Sequence, residues 1–179
     1  MPPYTSCMGR KFVVVGASGN GKTTFSKRLA AKHGVPYVEL DALNHLPGWQ
    51  EASDDDFRHS VDEATSGDGW VVDGSYSNKL GSSLFERADV VVWLDQPVPL
   101  VMTRLIHRAI RDIRTQRDLF NGNRQTWRFA FWGKDSLVPF AIRMHFSRRR
   151  VWPGLFAELG VNVARLRSPQ QVEAFLTER

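Results

Sequence analysis

Lys11-Phe-Val-Val-Val-Gly-Ala-Ser-Gly-Asn-Gly-Lys-Thr-Thr24 is the stretch that decides how the rest of the chain is read. Gly16, Gly21, Lys22 and Thr23 stand at the fixed places of G-x-x-x-x-G-K-[ST], the phosphate-binding loop pattern. The required context surrounds it: an apolar run, Phe12 to Val15, reads as a strand, and Thr24 to His33 reads as a helix. The spacing answers a physical need. A strand must turn sharply into a helix while its N–H groups point inward at an anion. Glycines at 16, 19 and 21 permit that backbone path. The helix N-terminus adds partial positive charge. The candidate triphosphate-binding residues are therefore Gly16, Ala17, Ser18, Gly19, Asn20, Gly21, Lys22, Thr23 and Thr24. Lys22 would reach the β- and γ-phosphates, and the Thr23 hydroxyl would bind Mg²⁺.

Outward from the loop, 179 residues with 42% hydrophobic content fit one domain with a real core. One cysteine, Cys7, rules out a disulfide framework or a cysteine zinc cluster within the chain. No apolar run approaches the roughly 18 residues of a membrane span. The first residues, Met-Pro-Pro-Tyr-Thr-Ser-Cys, lack the apolar core of a signal peptide, so a cytoplasmic location with no membrane partner is expected. The net charge of +5 hides a division. Glu39 to Asp95 carries thirteen acids against Arg58, Lys79 and Arg87, whereas Arg104 to Arg150 carries eleven arginines and one lysine against three acids. Arginine grips phosphate bidentately, so this half reads as a clamp for phosphorylated small molecules, a nucleic-acid surface, or a solvated helix face.

Strands are expected at Lys11–Val15, Val35–Leu40, Trp70–Val72, Asp89–Leu94 and Val161–Leu166. Helices fall between them, with a loop over 41–50 and helical patterns over 124–132 and 136–151 that Pro153-Gly154 interrupts. The long helix, about Leu100 to Leu119, turns Leu105, Ile106, Ala109, Ile110 and Ile113 inward and Arg104, Arg108 and Arg111 outward. Ser168-Pro-Gln-Gln171 is a capping box opening the last helix. The alternation predicts an α/β fold, a three-layer sandwich with a five-stranded parallel sheet flanked by helices. Its core would be about 10–100 and 160–179, with an Arg-rich helical lid region over about 101–158. Ligands bind at the carboxyl ends of such strands. There stand the loop, Asp41, Asp73-Gly-Ser-Tyr76, Asp95 and Arg167-Ser168. An aspartate at a strand end is also ordinary turn chemistry. Arg148–Arg150 reads as a surface cluster, and Trp127, Trp132 and Trp152 read as packing residues.

With these pieces placed, the chain resembles the nucleoside monophosphate kinase group, and most closely the small bacterial adenylate-kinase-like proteins of the topology modulation, or FlaR, type. The shared pieces are residues 16–24, Leu-Asp-Ala-Leu…Pro-Gly-Trp (40–49), Trp-Val-Val-Asp-Gly-Ser-Tyr (70–76), Val-Val-Trp-Leu-Asp (91–95) and Leu-Arg-Ser-Pro-Gln-Gln-Val (166–172). The resemblance implies ATP and Mg²⁺, an acceptor segment after the second strand and a mobile lid after the fourth. It implies that Asp73 helps hold Mg²⁺ through water, and that Arg104 and Arg108 contact the nucleotide and the transferred phosphate. Arg167, Ser168 and Pro169 would lie by the adenine base. In true adenylate kinases the Asp-Gly turn continues Phe-Pro-Arg, and that arginine grips the acceptor phosphate; here Ser75-Tyr76-Ser77 follows. The acceptor need not be a nucleotide. Gly74, Ser75 and Tyr76 would face it, and Asp41 would orient it or take its proton. The expected function is an ATP-binding phosphotransferase, a nucleotide or nucleoside kinase resembling adenylate kinase that transfers the ATP γ-phosphate to a small acceptor. Two alternatives stay open: a gluconate- or shikimate-type kinase, and the less favoured ATP-switched nucleic-acid-binding protein suggested by Arg-Trp-Phe interleaving over 124–152.

Overall fold

The computed structural model describes residues 9–119, 121–132 and 136–177; Cys7 lies outside them. Five strands, β1 (Lys11–Val15), β2 (Tyr37–Glu39), β3 (Trp70–Asp73), β4 (Val90–Leu94) and β5 (Val163–Leu166), form one sheet in the order β2-β3-β1-β4-β5. Every pairing is parallel, with Val13 against Val72 on one side and Val91 on the other. β1 is thus central, and the loop that follows it leaves the middle of the sheet's carboxyl edge.

Period-two alternation builds a core on each face. Val13, Val15, Trp70, Val72, Val91 and Trp93 point to one face. There they meet α3 (Asp54–Ala64), α5 (Ser83–Arg87) and α8 (Leu137–Leu159) through Phe57, Phe85, Trp152 and Phe156. Phe12, Val14, Val71, Val92 and Leu94 point to the other face. That side is covered by α1 (Lys22–His33) and α9 (Pro169–Thr177) through Phe25, Leu29 and Leu176. Truncating one of these large side chains to alanine is expected to cost about 3–5 kcal/mol.

Local signals set the helix ends. Ser53 Oγ accepts the Asp56 N–H at 3.1 Å to start α3, with Asp54, Asp55 and Asp56 in its first turn. Ser168 Oγ accepts the Gln171 N–H at 3.2 Å to start α9, and Gln171 Oε1 reaches back to the Arg167 N–H at 2.6 Å. The supposed loop over 41–50 begins with a helix, α2 (Leu40–Asn44), and ends in a 3₁₀ turn at Pro47–Trp49. The segment after Tyr76 splits into α4 (Ser77–Leu80) and α5 around Gly81.

Between β4 and β5 the chain forms α6 (Val98–Arg114), α7 (Trp127–Phe131) and α8. α6 buries Val101, Leu105, Ala109 and Ile113, one side chain per turn, while Ile106 and Ile110 are only partly covered. Pro153 does not break α8, contrary to the sequence expectation. The helix keeps its course because Trp152 and Phe156, one on each side of the proline, are both anchored against Trp93 with ring centroids 5.4 and 6.2 Å away. The α6–α7 connection returns to the Pro47–Trp49 turn. The buried Asn123 amide accepts the Trp49 N–H at 2.8 Å and donates to the Leu46 carbonyl at 2.9 Å, while Trp49 stacks on Phe129.

Candidate active site

The turn from β1 into α1 has the shape its glycines require. Gly16, Gly19 and Gly21 adopt φ of 154°, 89° and 83°. A Cβ at Gly16 would lie 2.6 Å from the Leu94 carbonyl oxygen, and one at Gly19 would lie 2.5 Å from that of Val101. Both are therefore fixed by close backbone approach as well as by angle. Asn20 is buried, donating to the Ala17 carbonyl at 3.1 Å and accepting the Gln96 N–H at 2.9 Å. Its side chain shapes the loop from behind.

Lys22 and Thr23 open α1 beside the end of β3. Thr23 Oγ1 donates to Asp73 Oδ2 at 2.7 Å, and the Tyr37 hydroxyl approaches the same oxygen at 3.4 Å. The other oxygen, Asp73 Oδ1, is buried with no hydrogen-bond partner. A buried carboxylate oxygen left unmet is costly, and such an orphan calls for an ion or water. Burial pushes the Asp73 carboxyl above the usual range, against the pull of Lys22 and the Thr23 hydrogen bond. Burial likewise pushes Lys22 down, opposed by Asp73 and Asp41 and reinforced by Arg148 and Arg108. A phosphate anion beside Lys22 would reverse that shift. No group of three or more His, Cys, Asp or Glu suited to a metal occurs among the described residues. A hydroxyl paired with one buried carboxylate suits Mg²⁺, which takes few protein ligands and completes its shell with water and phosphate.

A cleft of about 290 Å³ runs from the loop along α1 toward α9, lined by Asn20, Gly21, Thr24, Gln96, Arg104 and Pro169 among others. Arg104 overhangs Gly21, and Arg108, one turn further along α6, contributes to the field at Lys22. Pro169 reaches the cleft, while Ser168 is occupied with capping α9. The exposed Arg28–Glu173 pair joins α1 to α9 beside it.

Tyr76 donates its hydroxyl to Asp41 Oδ1 at 2.7 Å, and the Asp41 charge, like that of Asp73, favours the charged form of Lys22. Tyr76 holds φ at 41°, a left-handed value that costs a non-glycine residue about 1–3 kcal/mol and is usually retained where it positions a group. Gly74, with φ of 119°, brings the backbone against Leu40, where a Cβ would stand 3.3 Å from the Leu40 Cβ. Burial, then the Asp41 charge, pushes the Tyr76 phenol up, so it stays a donor. Glu39 is also pushed up by burial and by Asp73.

One open sequence reading is decided here, and one expectation fails. Asp95 is no open strand-end carboxylate. Arg149 Nε reaches its Oδ1 at 2.6 Å and Arg165 reaches its Oδ2 at 2.6 and 3.0 Å, so it fastens α8 and β5 to the sheet. Nor are residues 148–150 a surface cluster throughout. Arg148 turns inward, donates to the Gly16 carbonyl at 2.7 Å and lies 4.9 Å from the Trp152 ring centroid, close enough to Asp41 and Lys22 to influence their fields. The signal was present: Ala141, His145, Trp152 and Phe156 make one buried stripe, with 148 and 149 on it. Reading a break at Pro153 cut Trp152 and Phe156 off from that stripe. The tryptophans divide as well, since Trp152 is core while Trp127 and Trp132 are 48% and 73% exposed.

No family model matches the chain. A putative adenylate kinase from Thermococcus gammatolerans is 38% identical over 103 residues, 54% of this chain. The chain spans about half the length of that curated relative, 55%. The fold is shared with solved kinases. Shikimate kinase from Bacteroides thetaiotaomicron superposes with a TM-score of 0.56 at 17% identity over 92% of this chain and 93% of that one. Shikimate kinase from Acinetobacter baumannii, solved with shikimate, gives 0.52 at 16% identity over 91% and 87%. A gluconokinase from Sinorhizobium meliloti gives 0.51 at 19% identity over 93% and 90%.

Proposed function

We propose that this chain is an ATP-dependent phosphotransferase, a small kinase resembling adenylate kinase that moves the ATP γ-phosphoryl group to a small-molecule acceptor. The observation that carries this reading is the join at Lys22. A phosphate loop with a paired hydroxyl and buried carboxylate, Thr23 and Asp73, meets a second pair, Asp41 and Tyr76, whose carboxylate acts on the same lysine.

Phosphoryl transfer asks the protein mainly for positioning and charge stabilisation. The loop amides and Lys22 hold the β- and γ-phosphates. Arg104 and Arg108 add positive charge on the α6 side, and the base lies in the cleft toward Pro169. Thr23 and Asp73 would hold Mg²⁺, which when bound neutralises charge on the phosphates. Arg148 stands with Lys22 where charge accumulates in transfer. Residues 101–158 serve as a lid, with the α6–α7 connection resting on the acceptor segment through Asn123.

The relative's printed description and the three kinase-shaped neighbours support this class. The nucleic-acid reading draws on the exposed Trp127, Phe129 and Trp132, but its arginine run loses Arg148 and Arg149 to inward contacts. No helix among the described residues is long and apolar enough to cross a membrane. The test is Lys22→Ala, assayed by ATP titration and by phosphotransfer over a panel of acceptors. Turnover should fall by about 10³-fold, and unchanged ATP affinity and turnover would overturn the assignment.

A further inference from the structure

The acceptor segment has cations in its sequence but none to spare. Between Glu39 and Ala88 the chain carries Arg58, Lys79 and Arg87 as its only lysines and arginines. Lys79 is buried and meets Glu51 at 2.9 Å, Asn44 Oδ1 at 2.9 Å and the Ala52 carbonyl at 3.1 Å. Arg58 donates to the Lys79 carbonyl at 2.8 Å and to Asp55 at 3.3 Å. Arg87 donates to Asp62 at 3.0 Å and to the Thr65 carbonyl at 2.7 Å. All three tie α2, α3, α4 and α5 together. Of the arginines that reach the site from α6 and α8, Arg104 overhangs the phosphate loop, and Arg148 is taken up by the Gly16 carbonyl and the charge of Asp41.

What the acceptor side offers is a carboxylate and a phenol in fixed relation. Tyr76 is held in a left-handed conformation with its hydroxyl on Asp41 Oδ1, which leaves Asp41 Oδ2 for another donor. Beyond burial, the Asp73 charge helps push Glu39 up and the Asp41 charge helps push Asp73 up, so negative potential already gathers there. A phosphate or carboxylate delivered beside Asp41 would meet that potential without a free cation from its own segment.

We propose that the acceptor is an uncharged, hydroxyl-bearing small molecule, of the nucleoside or polyol type, bearing no phosphate or carboxylate near the reacting hydroxyl. This rests on the phosphotransferase reading above. Asp41 Oδ2 takes the hydroxyl proton as the hydroxyl oxygen forms its bond to the γ-phosphorus. The bond from that phosphorus to the bridging oxygen breaks, and ADP leaves with the electron pair. Tyr76 is a positioning residue, fixing the Asp41 carboxylate by its first oxygen.

The experiment is a matched panel with ATP, reading ADP release and the phosphorylated product: nucleosides against their monophosphates, and sugars and sugar alcohols against sugar acids. The uncharged member of a pair should show a kcat/KM at least about 100-fold higher than its charged partner. Asp41→Asn should lower kcat for that acceptor by about 10²–10³-fold while affinity for a non-hydrolysable ATP analogue stays the same. Tyr76→Phe should lower kcat less. Comparable or faster transfer to a monophosphate or an acid, or an Asp41→Asn variant with undiminished kcat, would overturn the inference and leave the kinase reading standing. Bound ATP with no transfer to any member of the panel would overturn the kinase reading and this inference with it.

Discussion

β3 and β4 lie on either side of β1, and each delivers an aspartate to the carboxyl edge of the sheet, Asp73 and Asp95. Both are buried, at 5% and 4% exposure, so burial does not tell them apart. Satisfaction does. Asp95 has an arginine on each oxygen. Asp73 has a threonine and a tyrosine sharing one oxygen and nothing on the other. The saturated carboxylate holds elements together, and the unsaturated one is where we propose that Mg²⁺ is held. A strand-end aspartate in a sequence carries no mark of which it will be, because the partners that decide it come from elements far along the chain.

Asp73→Asn presses this contrast hardest. It should cut phosphotransfer by about 10²–10³-fold while raising the melting temperature of the ligand-free protein by a few degrees, since a carboxyl made unfavourable by burial is replaced by a neutral amide. Activity assays and calorimetry on one preparation check both, and a stability loss would contradict the assigned difference. Arg148→Ala should lower kcat by about 10²-fold, with ATP affinity changing less than turnover. If Arg148 were only a support for α8, kcat would hold and thermal stability would fall instead. Asp95→Asn should show the reverse of Asp73→Asn. It should lose about 2–3 kcal/mol of stability, moderated because Arg149 and Arg165 are 35% and 28% exposed and can turn to water, and should keep turnover per folded molecule. Chemical denaturation resolves that change. The smallest effect concerns pH. The raised carboxyls of Asp73 and Glu39 bind protons in the folded state that the unfolded chain would release. Their contribution is present below the ordinary carboxylate values of about 4 and is lost as pH rises through the raised folded ones. Denaturation of the ligand-free protein across that window should show a downward slope with pH that Asp73→Asn reduces.

How far the sequence could be read depended on the distance over which each signal acts. The loop at 16–23 was legible because glycine angles, the strand before it and the helix after it are all local. The strand alternation of Phe12–Val15 announced two covered faces for the same reason. Asp41 and Tyr76 could be named singly, but their hydrogen bond spans 35 positions and depends on a strained tyrosine that no propensity favours. Arg148 sits 132 positions from the Gly16 carbonyl it contacts. The clue to it was the helical stripe through Pro153, and a rule about proline that is sound for isolated helices cut that stripe short, because two aromatic anchors in the core outweigh one missing hydrogen bond.

The sheet has a consequence for how this protein can change over generations. Its two faces pack as separate cores: the cleft toward Pro169 borders the one built on Phe25 and Leu176, and Tyr76 packs against the one built on Phe57. Substitutions confined to opposite faces share few contacts, so their energetic effects should add with little coupling. One face can therefore drift, shrink or refit itself to a different guest molecule while the other stays under unbroken selection.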